Sequence, residues 1–373
     1  MKKMRLIVAD SENNADLLYA CGFNACDPFV YFAIDDRESI AVSRLEFSRA
    51  KSESHSHIEV FDVDDFFSES EKKRGINDLL LKISEKETVT NWEVPEDFPL
   101  AIADFLRANN YLVSCADGLF FPERECKNES EIDKIKDAMK STEKGMRRAI
   151  QVLEEAVIND DSTVNWNDKQ LTSDLLRAEI EVELIRNGAA PFHTIVSCGK
   201  HSSEPHNAGS GPIYAHKTIV VDIFPRVVKS GYWGDMTRTF VKGKADDIVK
   251  RAYTAVKEAR DNAKAMIKTG TTGAAAFKVA FDTLVEHGFE TGQNEVGHYG
   301  FIHGLGHGVG LEIHEAPRVS LNNKNGLEAG NIITIEPGLY YPEWGGIRLE
   351  DIGVVRDDSF QCFNTVPSEL EIP

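Results

Sequence analysis

The sequence predicts an α+β protein of two domains: a small α/β domain, then a larger one running two helices, strands, two helices, strands. Three observations carry this. Short β-branched or aromatic runs alternate with helical patterns before Glu123, two pairs of long helical patterns divide the rest, and the strands after each pair end on or contain a carboxylate or an imidazole. A chain of 373 residues has ample core for two such domains.

The boundary is expected in the segment Glu123–Glu129, giving domains over residues 1–126 and 127–373. Upstream, strands are expected at Arg5–Ala9, Pro28–Ile34, Ile40–Val42 and Ile58–Val63. Downstream, Ile132, Ile135, Met139, Met146, Ile150, Leu153 and Val157 recur at helical spacing and form one apolar stripe. A second helix is expected to bury Leu171, Leu175, Ala178, Val182 and Ile185 and to stop at Asn187-Gly188. Further helices are expected over Asp246–Lys268 and Ala274–His287. This order implies an internal structural duplication without sequence repeat.

The strands of the second domain carry the chemistry. Thr218–Asp222 is a β-branched run ending on a carboxylate, and in Gly231–Val241 alternation puts Asp235, Thr237 and Thr239 on one face. Asn331–Glu336 ends an apolar strand on a carboxylate, and Pro337-Gly338 stops it. Gly346–Ile352 read as one strand puts Arg348 and Glu350 on one face. In Phe301–Glu315, His303 and His307 are four apart, but glycines at 304, 306, 308 and 310 argue against a helix. Extended, the segment shows both histidines on one face, and His314 joins them only if the strand bends or bulges.

Asp222, Asp235, His307, Glu336 and Glu350 together suit two divalent metals. Four carboxylates buried together cost several kcal/mol or more per unpaired charge, which two cations cancel while leaving room for a bridging hydroxide. Hard carboxylates with one imidazole favour manganese, cobalt, zinc or iron(II) over copper, and calcium fits poorly; manganese is the expected ion. An isolated aspartate at a strand end is ordinarily a turn or cap residue. Five such residues in glycine-punctuated strands are a site.

Composition fits a soluble enzyme. The 42 basic and 61 acidic residues give a net charge of −19, which repels phosphate, so neither nucleic acid nor an anionic membrane is an expected partner. Lys72-Lys73-Arg74 reads as a solvated face. The apolar run after the basic Met1-Lys2-Lys3 is too short for a signal peptide, no stretch has the length of a membrane span, and a cytoplasmic location is expected. The six cysteines show no metal spacing and are expected to be reduced, with Cys198 a packing residue.

The blocks GYWGDMTRTF, HGLGHGVGLEIHE, ITIEPGLY and GIRLED, in this order, resemble the pita-bread metallopeptidases, in particular the Xaa-Pro branch of aminopeptidase P and prolidase. ADLLYACGF and Ala41–Glu46 are similar to the creatinase-type N-terminal domain. The resemblance implies a curved antiparallel sheet backed by helices, with Asp222, Asp235, His307, Glu336 and Glu350 as ligands on its concave face. It implies a proline-containing peptide substrate, and a homodimer is expected.

The resemblance also implies roles. Glu336 would carry the nucleophile's proton to the leaving nitrogen, His314 would donate to the developing oxyanion, and His206 with His303 would shape the pocket after the scissile bond. Tyr340 and Arg348 would flank the site, Arg348 holding a ligand carboxylate, while His201 is the weaker alternative to His206. Asp222 and Asp235 stand farther apart than the resemblance implies, so the extra pair is expected in the turn over Phe224–Ser230. Arg318 is the candidate clamp for a dipeptide's terminal carboxylate. The alternatives are a methionine aminopeptidase, a metal-free creatinase-like amidinohydrolase, and a peptide- or protein-binding member of the fold without turnover.

Overall fold

The computed structural model describes residues 4–68, 71 and 75–373; the Lys72-Lys73-Arg74 cluster and Met1-Lys2-Lys3 lie outside the described residues. The chain divides into two compact units, Met1–Arg124 and Glu125–Pro373.

The first unit is a six-stranded mixed sheet. In chain order its strands are β1 (Met4–Ala9), β2 (Phe29–Ile34), β3 (Arg37–Val42), β4 (Glu59–Asp62), β5 (Asn91–Val94) and β6 (Leu112–Cys115). In space they run β4-β3-β2-β1-β5-β6. The last two are not among the expected strands. Both faces of the sheet are covered: Ile7, Tyr31 and Ile40 pack on one side, and Leu6, Val8, Val30 and Phe32 on the other. Strands buried on both faces read as continuous apolar runs, which is why FVYFAI was legible as a strand and the half-polar NWEV was not.

The second unit opens with helix α1 (Glu129–Glu155). Asn128 caps it by accepting from the Glu131 amide at 3.1 Å, while the Glu131 carboxylate accepts from the Asn128 amide at 3.0 Å. Its apolar stripe is buried through Leu153, but Ile150 is only half-buried and Val157 lies beyond the helix and is exposed. Helix α2 (Ser173–Arg186) buries Leu176, Ile180 and Leu184, leaving Val182 and Ile185 exposed. The face expected to be buried is therefore the wrong one. Apolar residues lie on both sides of this helix, so periodicity could not choose, and the fit against α1 does. Helices α3 (Asp247–Met266) and α4 (Gly273–Glu286) pack on each other; Ala252, Val256, Ala259, Ala276 and Ala280 join the core with Ile333, Ile335 and Ile347.

The strands of this unit include two larger sheets and a two-stranded ribbon, beside three smaller sheets of two or three short strands. The first sheet orders β7 (Ile195–Cys198), β8 (Thr218–Ile223), β9 (Met236–Lys242) and the terminal Glu371–Ile372 strand. The second contains β10 (Gly306–Gly308), β11 (Glu315–Val319), β12 (Ile332–Ile335) and the later strand Asp351–Val355, with Phe360–Cys362 at its edge. The ribbon is Gly338–Tyr341 against Gly345–Arg348. The sheets are stitched where the Glu350 amide donates to the Thr237 carbonyl at 3.1 Å and the Arg348 amide to Thr239 Oγ1 at 3.0 Å. Among the described residues, no helix is long and apolar enough to cross a membrane.

Candidate metal centre

Antiparallel register sets Asp222 of β8 opposite Thr237 of β9, so Asp235, two residues earlier, lies on the same face as both. The extra residues between the aspartates are taken up outside the ladder: Arg226–Val227 pairs with Ala189–Ala190, and Gly231, at φ 76°, turns the chain back. Parity is thus preserved. Glu336 follows β12 directly, its amide donating to the Leu305 carbonyl at 2.8 Å.

The run Gly346–Ile352, expected as one strand, is two. Gly345–Arg348 pairs within the ribbon and Asp351–Val355 pairs with β12, because the backbone amide of Glu350 turns to Thr237 instead of continuing a ladder. Thr237 Oγ1 donates to Glu350 Oε2 at 2.8 Å and accepts from Arg348 Nε at 3.3 Å, so one hydroxyl aligns both side chains. Thr237 was visible in the sequence only as a residue on the Asp235 face.

His307 is carried by β10 between two glycines. A Cβ on Gly306 would lie 1.9 Å from the Thr334 carbonyl oxygen, so only glycine lets β10 lie this close to β12. His314 arrives by a full reversal of the chain, in which Gly308 pairs with Glu315, and its ring stands edge-on to His307 with centroids 4.4 Å apart.

All five expected ligands line one cavity of about 420 Å³, together with His206, His303, His314, Arg318 and Arg348. Ligand atoms of Asp235, His307 and Glu350 lie within 4.8 Å of one another. His307 Nε2 is 3.6 Å from Asp235 Oδ2 and 3.3 Å from Glu336 Oε1. Asp222 stands to one side: Arg348 Nη2 donates to its Oδ2 at 2.6 Å, while its Oδ1 is buried without a hydrogen-bond partner.

Burial, then the charges of Glu350, Asp222 and Glu336, pushes Asp235 well above the usual carboxylate range. Burial, then Glu336 and Asp222, does the same to Glu350. Burial also acts to raise Glu336, but the hydrogen bond and charge of His307, followed by His303 and Arg348, outweigh it and bring that group down to about 2. Carboxylates so crowded with one imidazole, and an orphaned oxygen among them, fit hard divalent cations.

The surrounding residues divide by what they touch. His303 Nε2 meets the Tyr340 hydroxyl at 2.9 Å, and Arg348 Nη1 donates to that hydroxyl at 2.9 Å. Tyr340, expected to flank the site, is fully buried, its hydroxyl held by both His303 and Arg348. Burial lowers His303 and, with His307 and Arg318, lowers His314 to about 4, so both rings are neutral near neutral pH. His206 is exposed on the cavity wall, and exposed His201 lines neither this cavity nor the adjoining one. That adjoining cavity, about 490 Å³, shares Pro205, His206 and His303 and adds Glu204, Asn207 and Ile302. Arg318 makes no ion pair among the described residues. Cys198 is buried, accepts from the Tyr214 amide at 3.5 Å, and has its thiol raised by burial, as a packing residue would.

Comparison with known proteins agrees with this geometry. Residues 133–357 match metallopeptidase family M24. An Xaa-Pro dipeptidase of Pyrococcus horikoshii is 30% identical over 96% of this chain and 92% of its own length. The crystal structure of an X-Pro aminopeptidase from Thermotoga maritima superposes with a TM-score of 0.83 at 25% identity, covering 99% of this chain and 97% of that one. Prolidase from Pyrococcus furiosus superposes with a TM-score of 0.79 at 25% identity, covering 98% and 97%. With its ligand-type residues in one cavity, its fold shared with these enzymes and its catalytic unit matched, the chain belongs to metallopeptidase family M24, in the Xaa-Pro branch of the pita-bread fold, and is a metal-dependent peptidase.

Proposed function

We propose that this protein hydrolyses the bond between an N-terminal residue and a following proline, with two divalent cations held by Asp222, Asp235, His307, Glu336 and Glu350. The observation that carries the reading is the Asp222 carboxylate, one oxygen on Arg348 and the other buried without a partner beside three further acids. Relatives that bear the names Xaa-Pro dipeptidase and X-Pro aminopeptidase support the substrate class.

The charge count favours two cations. Arg348 offsets one of the four carboxylates, so a single divalent cation would leave one negative charge buried, while two leave one positive charge able to hold a small anion or a polarised carbonyl. Bound there, such cations would polarise the carbonyl before proline and activate a water molecule. Manganese is the ion we expect, with cobalt, zinc and iron(II) as alternatives from the same donor set.

The protein's own side chains supply the rest. Glu336, on the cavity wall beside His307, accepts the attacking water's proton and passes it to the proline nitrogen. Neutral His314 donates to the oxygen that gains charge. His206 and His303 border the space beyond the scissile bond, where the proline ring sits. Arg318, on the same wall, offers its guanidinium to the terminal carboxylate of a dipeptide. We expect a homodimer in the cytoplasm. The test is elemental analysis with an assay of an Xaa-Pro dipeptide beside an Xaa-Pro-Yaa tripeptide; metal-loaded protein that cleaves neither overturns the reading.

A further inference from the structure

The segment Glu125–Lys127, just before α1, is tied to the beginning of β12. The Lys127 amide donates to the Gly330 carbonyl at 2.9 Å, and Asn331 Nδ2 donates to the Glu125 carbonyl at 3.0 Å. From there the Lys127 side chain, 2% exposed, reaches to the reversal between β10 and β11 and donates to Glu315, 8% exposed. Glu315 Oε2 in turn accepts from the Glu312 amide at 3.2 Å, bracing the reversal from within. A Cβ on Gly310 would lie 2.3 Å from Glu315 Oε1, so the chain keeps that space for the carboxylate. His314 immediately precedes Glu315, its ring against His307.

A buried lysine–glutamate pair contributes little net stability, since desolvation offsets the attraction; what it fixes is geometry. Here the fixed element is the reversal that delivers His314 to the cavity, and its anchor lies at the base of the strand that delivers Glu336. We propose that Lys127 is a positioning residue for His314, acting through Glu315. The inference rests on the reading of His314 as donor to the developing oxyanion.

The experiment compares Lys127→Met, His314→Ala and the double variant as full-length, metal-loaded protein, with metal content, kcat and KM measured on an Xaa-Pro dipeptide. Lys127→Met should lower kcat by about tenfold or more with metal content unchanged, and Lys127→Arg should restore most of it. In the His314→Ala background, Lys127→Met should cost less than about twofold further, because its route to the reaction is already gone. Equal losses in both backgrounds, a loss of metal, or no loss at all from Lys127→Met would overturn the proposal. If His314→Ala is itself fully active, the reading of His314 fails and this inference with it, an outcome distinct from additive losses. Should Lys127→Met not fold, because it leaves the Glu315 charge buried, Lys127→Met/Glu315→Gln removes that charge, and the same comparison with and without His314→Ala decides.

Discussion

Arg348 Nη2 and Asp222 Oδ2 are 2.6 Å apart and buried, so the site contains a permanent cation as well as four acids. The guanidinium fixes one oxygen of Asp222 and leaves the other buried without a hydrogen-bond partner, as the proposed ligand role requires. It also changes the charge balance from four negative charges to three, which is still more than one divalent cation can neutralise.

Metal-replete protein should therefore bind about two divalent ions per chain, measured by elemental analysis after manganese or cobalt loading. Glu350→Ala should lose metal occupancy together with activity. Full activity at a saturated stoichiometry near one would remove the basis of the two-cation reading.

His314→Ala and His206→Ala should keep their metal while turnover falls on the order of a hundredfold or more. His201→Ala, exposed and outside both cavities, should behave as wild type. Loss of metal from either of the first two variants would show that the ligand set has been misassigned.

Arg318→Ala should raise KM for an Xaa-Pro dipeptide and leave tripeptides nearly unaffected, because only a dipeptide places its terminal carboxylate so close to the scissile bond. A longer peptide can extend instead toward the cavity bordered by Glu204, Asn207 and Ile302. Equal responses of both substrates would favour the aminopeptidase P reading.

Chelated protein should lose stability as pH rises above about 4, the ordinary carboxylate range. Asp235 and Glu350 have folded pKa values raised by burial, then by neighbouring acids, so the folded state binds more protons than the unfolded state; their contribution is complete below the unfolded value and disappears as pH climbs through the folded ones. Glu336, lowered to about 2, acts in the opposite sense, and its contribution disappears only as pH falls toward that value. Bound cations hold the ligands as carboxylates and should flatten the alkaline decline. His303 and His314, lowered from the ordinary imidazole value, add stability as pH rises to about 6.5, so thermal denaturation with chelator and with manganese between about pH 6.5 and pH 8 checks this; a rising or flat curve for the chelated protein there would contradict it.

Much of the site was legible because its residues terminate apolar strands. A carboxylate at the end of TIVVD or ITIE has nothing local to pair with, so its charge asks for a partner from elsewhere in the chain. The glycines around His307 likewise announced close backbone approach, and Gly306 against Thr334 is that approach. Less was legible where two answers satisfy the same pattern. Helix α2 has apolar residues on two faces, and Gly346–Ile352 alternates as one strand although its backbone bonds belong to two partners.

By itself, then, the sequence indicated the order of the main helices and of the strands that carry the acidic and imidazole side chains, since these follow from local periodicity, and it allowed Asp222 and Asp235 one face only if the extra residues lay in the turn. The tertiary structure alone decided that His314 returns to His307 through a chain reversal, that the buried Tyr340 hydroxyl joins Arg348 to His303, and that Lys127 reaches Glu315 across 188 positions of chain. Those relationships depend on which surfaces meet when the core closes, and no periodicity within a single segment encodes a contact between distant ones.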